Sequence, residues 1–278
     1  MNNPVNSDVS NKLLKELIDY CSYFDLPFEH IVETMYALKV IPMIRGICFE
    51  FFIYDKLGEI LPANDWKIEK PVINAQSAIQ DVDILVTHRP TKKRFTIECK
   101  LTGKDSFRIK DNQATVKVKC MRSRTVGIEA AKILARRYTV KVDDVMRHRD
   151  NYRTVDFDFV ITSIGNAFWK TAPDGTYVFR PTSSEIAFLR KFFNDQTLDV
   201  NGLKEKTFHY LLIARSSRLN VSPQNNVQCV RRECIKAGTS RTCGFIPNYP
   251  IVDLNDNSIW KPIQQATELF QAVVNEQQ

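Results

Sequence analysis

Two short apolar runs, Asp81-Val82-Asp83-Ile84-Leu85-Val86 and Phe95-Thr96-Ile97-Glu98-Cys99-Lys100-Leu101, leave this chain few ways to fold. β-Branched and apolar residues dominate both, and the link His88-Arg89-Pro90-Thr91-Lys92-Lys93-Arg94 carries proline and charge, so the pair reads as strand, turn, strand. Residues two apart on a strand share a face, which puts Glu98 with Lys100 and turns Ile97, Cys99 and Leu101 the other way. A carboxylate and an ammonium set among apolar residues are costly to bury without an opposite charge or an ion. Paired as a hairpin, the strands bring Asp83 close to Glu98. Two carboxylates can then hold a hard divalent cation through oxygen ligands, with a lysine beside them.

A third acidic residue is misplaced in the same way. Arg45 to Tyr54 reads as a helix that starts near Pro42, and Glu50 sits in it with apolar residues on every side. A carboxylate there needs a partner, either at the cation site or in a basic neighbour such as Arg45.

An Asp, a gap of strand-turn-strand length, then Glu-x-Lys resembles the PD-(D/E)xK nuclease superfamily. The resemblance implies that Asp83 and Glu98 are Mg²⁺ ligands and that Lys100 orients and polarises the attacking water. It also implies that Glu50, on a helix before the sheet, is a further acidic residue of the site. Val82 stands where the motif has proline, and Asp81, on the same face as Asp83, is the reserve first ligand. The expected fold is α/β, leaning to α+β: a central mixed β-sheet flanked by helices, with a restriction-endonuclease-like core.

The 278 residues suit one nuclease domain, with 1–62 as a helical N-terminal layer, 63–165 as the catalytic core and 166–278 completing the sheet and facing DNA. A net charge of +7 leans toward an anionic partner, of which nucleic acid is the commonest. No window is apolar enough to span a membrane, and the polar Met1-Asn2-Asn3-Pro4 start does not read as a secretory signal. Of the seven cysteines, Cys21, Cys48, Cys99 and Cys120 read as reduced, partly buried thiols of a cytosolic protein. Cys229, Cys234 and Cys243 lie closer together, with His209 as a conceivable fourth ligand, but their spacing matches no common zinc pattern.

Along the chain, Asn11–Phe24 and Phe28–Leu38 have helical spacing, and Trp66–Val72 reads as the first strand. Gly103–Arg124 reads as a basic, polar connection holding Lys104, Arg108, Lys117, Lys119, Arg122 and Arg124 among amides and hydroxyls. That chemistry contacts phosphates and reads base edges. Gly127–Tyr138 is an amphipathic helix with Ile128, Ala131, Ile133, Leu134 and Ala135 facing inward. Val155–Thr162 is the next strand, its Asp156 and Asp158 taken as structural. Thr182 or Ser183 caps a helix running to Phe193, Phe208–Ala214 is a strand, and Pro262 opens a last helix. Arg215 and Arg218 begin a second candidate DNA-facing segment.

Other chemistries find no support: no HExxH pair, no glycine-rich phosphate loop and no activated serine or cysteine signature is present. The resemblance therefore implies a Mg²⁺-dependent type II restriction endonuclease that cuts double-stranded DNA as a homodimer in the cytoplasm of a bacterial or archaeal cell. A repair or recombination nuclease of the same superfamily, or a non-catalytic DNA-binding module, is the alternative.

Overall fold

The computed structural model describes residues 7–71, 82–111, 113–122, 125–219, 232–238 and 245–276. The chain divides into two compact units, Met1–Ile47 and Cys48–Gln278. The first holds helices α1 (Ser7–Tyr23) and α2 (Ile31–Tyr36) and the opening of α3 (Ile41–Ile60). Within it Cys21 is buried, whereas Leu13, Leu14 and Ile18 are exposed.

The second unit is built on a six-stranded sheet. Its first strands are β1 (Trp66–Glu69), β2 (Ile84–His88) and β3 (Arg94–Cys99). A hairpin follows, β4 (Arg108–Lys110) and β5 (Gln113–Lys117), then helices α4 (Ile128–Tyr138) and α5 (Val142–Arg147). Next come β6 (Phe159–Ser163) and a small ribbon, β7 (Trp169–Thr171) with β8 (Tyr177–Phe179). Helices α6 (Ser183–Phe192) and α7 (Val200–His209) lead to β9 (Leu211–Arg215). The chain continues through α8 (Arg232–Lys236), β10 (Ile251–Asp253), β11 (Lys261–Pro262) and α9 (Ala266–Asn275).

The main sheet runs β1-β2-β3-β6-β9-β11. Only the β3/β6 step is parallel; the other neighbours pair antiparallel. The expected mixed sheet flanked by helices is what the chain forms. Alternation along the strands sorts side chains to two cores. Ile84, Val86, Phe95, Ile97, Phe159, Ile161 and Ile213 pack under Phe49, Ile53 and Leu57 of α3 and Phe270 of α9. Val160, Leu212 and Ala214 pack on the opposite face with Leu189 of α6, Leu203 of α7, and Ala114 and Val116 of β5.

Several elements differ from the sequence reading. The basic connection after β3 is a hairpin: Lys110 pairs with Gln113, and Asp111 after it has a φ of 48°. Ala114, Val116 and Val118 are buried on one side of it while Gln113, Lys117 and Lys119 are exposed. Residues 200–207, unassigned from sequence, form α7 together with Phe208 and His209, which were expected in the next strand; the Asp199 side chain accepts from Gly202 N at 2.7 Å, and the strand starts at Leu211. On α4, Ala131, Leu134 and Ala135 are buried as expected, but Ile128 and Ile133 are exposed. Thr182 caps α6 in a reciprocal box with Glu185, as the sequence predicts. Among the described residues no helix is long and apolar enough to cross a membrane.

Candidate active site

The register Ile84↔Ile97 of the β2/β3 pair, carried one residue further, sets Asp83 across from Glu98. Directly opposed residues share a face, with Cβ atoms about 5 Å apart. Asp83 is locked there because its Oδ2 accepts the backbone N–H of Cys99 at 2.7 Å. Glu98 faces the core that holds Tyr152 and Val160, and only 1% of it is exposed. Its Oε1 accepts from the Tyr152 hydroxyl at 2.7 Å and pairs with the Lys100 ammonium. Among the described residues, its Oε2 is buried without a hydrogen-bond partner. A buried carboxylate oxygen with no donor carries a full desolvation cost, so it is an acceptor available to a cation.

The electrostatics agree. Burial pushes the Asp83 carboxyl up to about 8, and the neighbouring charges of Glu98 and Glu50 push the same way, against Lys100. Burial alone would lower the proton affinity of Lys100, but Glu98, Tyr152 and Asp83 outweigh it and hold the ammonium well above its ordinary range. The Cys99 thiol, on the other face of β3, is also pushed up, first by burial and then by the charges of Asp83, Glu98 and Glu50, and stays protonated. Crowded carboxylates beside one retained cation make a site short of positive charge.

Glu50 lies at the edge of this group. It raises the proton affinity of Asp83, and its own ion-pair partner is Lys70 at 2.5 Å rather than the Arg45 considered from sequence. Asp81, the reserve ligand, lies outside the described residues, as do Arg124, Cys229 and Cys243.

Among the described residues no group of three or more His, Cys, Asp or Glu side chains is arranged to hold a metal ion. Mg²⁺ does not need such a cage: it keeps several waters and is bound through one or two carboxylates plus substrate phosphate. Asp83 and the open Oε2 of Glu98 fit that donor set.

Two residues of the site were not found from sequence. Tyr152 anchors Glu98 and Lys70 anchors Glu50; each comes from a segment with no motif, so only tertiary contact reveals it. Arg122, expected on the DNA-facing side, is corrected. It ion-pairs with Asp156 at 2.5 Å, donates to Asn151 O, and lies 4.8 Å from the Tyr152 ring, with only 12% of its side chain exposed. Burial of Asp156 calls for a cation, and Arg122 supplies it. Asp156 is structural as read, and so is Asp158, which accepts the N–H of Thr96.

Of the other expected DNA contacts, Arg108, Lys117, Lys119 and Arg218 are exposed. Lys104 donates to Thr171 Oγ1 and lies over the Tyr177 ring, and Arg215 is paired with Glu276 at 2.8 Å. His209 packs against Phe52 and Phe208, and the Cys234 sulfur meets His148 Nε2 at 2.8 Å.

Comparison of the chain with protein-family models, curated proteins and solved structures gave no match.

Proposed function

We propose that the protein is a Mg²⁺-dependent endonuclease acting on double-stranded DNA, of the type II restriction class. The observation that carries this reading is the opposition of Asp83 to Glu98, with Glu98 Oε2 left open and Lys100 paired to the other oxygen. Asp83 and Glu98 would hold Mg²⁺, which when bound supplies Lewis-acid stabilisation of the charge that develops on the scissile phosphate.

The chain's own groups do the rest. Tyr152 and Lys100 fix the rotamer of Glu98, so its open oxygen is aimed before substrate arrives. Lys100 keeps its proton, so it serves as a donor that orients the attacking water and the phosphate oxygens, not as a general base. Asp83 would release its proton to solvent on binding the cation, because the cation replaces the proton as the partner of the buried carboxylate. The exposed cations Arg108, Lys117 and Lys119, on the hairpin that leaves the catalytic strand, would hold the flanking backbone. A homodimer in a bacterial or archaeal cytoplasm would cut both strands of a symmetric site.

The test is plasmid DNA incubated with Mg²⁺ and the purified protein, alongside Asp83→Ala and Lys100→Ala, with the cut ends sequenced. Discrete metal-dependent fragments, lost in both variants, are expected. An intact plasmid, or fragments that persist in both variants, would overturn the assignment.

A further inference from the structure

A second feature lies just beyond the catalytic strand. Gly103, Ser106, Arg108, Lys117 and Tyr249 line a cleft of about 250 Å³. Gly103 lies three positions after Lys100, so the two backbones are at most about 11 Å apart. The walls are fixed. Gly103 N donates to Lys117 O at 2.7 Å, and Ser106 Oγ accepts from Lys117 N at 3.3 Å. Tyr249 is held between two backbone bonds, Cys120 N to Asn248 O and Val118 N to Pro250 O, yet 45% of the residue remains exposed.

The charges in the cleft favour an anion. Arg108 and Lys117 are exposed, while the one carboxylate on its wall, Asp105, faces Lys170 at 3.9 Å. The volume is roughly eight times the share of liquid taken by one water, more than a bare phosphate needs. An aromatic ring held in solvent beside cations and a hydroxyl is the combination that stacks a base and tracks its phosphate. A base inside a duplex cannot enter a cleft; it must leave the stack.

We propose that this cleft binds one unstacked nucleotide of the substrate strand, its base against Tyr249 and its phosphate between Arg108 and Lys117. The proposal rests on the nuclease reading for its substrate but not for its test. The probe is 2-aminopurine deoxynucleoside 5′-monophosphate, whose fluorescence is quenched on stacking, titrated with the full-length protein in EDTA. Saturable quenching is expected, retained in Tyr249→Phe and weakened at least about fivefold in Tyr249→Ala and in Arg108→Ala. A single-stranded thymidine octamer should displace the probe at a tenfold or lower fraction of the concentration needed by thymidine monophosphate. Absence of saturable quenching, or quenching unchanged in Tyr249→Ala, overturns the subsite. Equal displacement by octamer and monomer overturns its assignment to a strand in favour of a free nucleotide. The readout needs no cleavage: quenching with an inert plasmid assay would remove the nuclease reading alone, and cleavage without quenching would remove the subsite alone.

Discussion

Replacing Asp83 by Asn should make the metal-free protein more stable, and increasingly so as pH rises. The carboxyl is held up at about 8 from an ordinary 3.8, chiefly by burial. Between these values the folded chain keeps a proton that the unfolded chain has lost. Stability must therefore fall as pH climbs through this window. Lys100 and Cys99, both pushed upward, hold their protons throughout and add little slope. Asparagine can still accept the Cys99 N–H but has no charge to bury.

Each pH unit is worth about 1.4 kcal/mol, so from pH 5 to pH 8 the ceiling is about 4 kcal/mol, and relaxation around the site should leave about 2–4 kcal/mol. Urea unfolding in EDTA, run on both proteins at the two pH values, measures it. The advantage of Asp83→Asn should be small at pH 5 and large at pH 8. An equal difference at both, or a loss of stability at pH 8, would refute the reasoning that Asp83 is a carboxylate waiting for a cation. Adding Mg²⁺ at pH 8 should then raise the wild-type midpoint and leave the variant unmoved.

Four further outcomes are expected. Lys100→Ala should lower cleavage at least about 100-fold, since on this reading it removes a donor from the reacting phosphate. It also leaves the buried Glu98 without its cation, so Lys100→Arg, which keeps the charge, is the variant expected to retain stability in chemical denaturation. Tyr152→Phe removes one hydrogen bond to Glu98 and should cost about 10–100-fold in activity or Mg²⁺ affinity, measured by metal titration of the cleavage rate. Arg122→Ala strands the buried Asp156 and should destabilise the fold by about 3–5 kcal/mol in chemical denaturation. Lys117→Ala should leave the melting temperature unchanged and reduce the salt slope of DNA binding by about one.

The hairpin that bears Asp83 and Glu98 was legible because its signals are local: alternation within each strand, a proline-bearing turn and acidic residues in apolar runs. The box at Thr182 and Glu185 was legible for the same reason. What failed was information carried across the chain. Arg122 looks like a solvated cation until Asp156, 34 residues later, is brought against it. Tyr152 has no spacing signal, and its meaning comes entirely from contact with Glu98. The β4/β5 hairpin was hidden because exposed charge on one face masks a run of only three buried residues on the other. In α7, the apolar end at Phe208 was read as the start of the next strand. The Asp199 cap was the signal that could have found this helix.

The lone parallel step between β3 and β6 has a consequence for how such a chain can diversify. Because both strands run the same way, residues 100–158 must carry the chain back along the sheet before β6 can begin. That return path contains the β4/β5 hairpin, α4 and α5, and it departs from the residue after Lys100. The hairpin and α4 within this excursion can change in length while Asp83 and Glu98, fixed by strand register, stay in place, provided that Tyr152 still returns to Glu98. On the nuclease reading proposed above, the cations that would hold the target and the carboxylates that would hold the metal thus sit on different stretches of one chain, which meet where Tyr152 returns to Glu98.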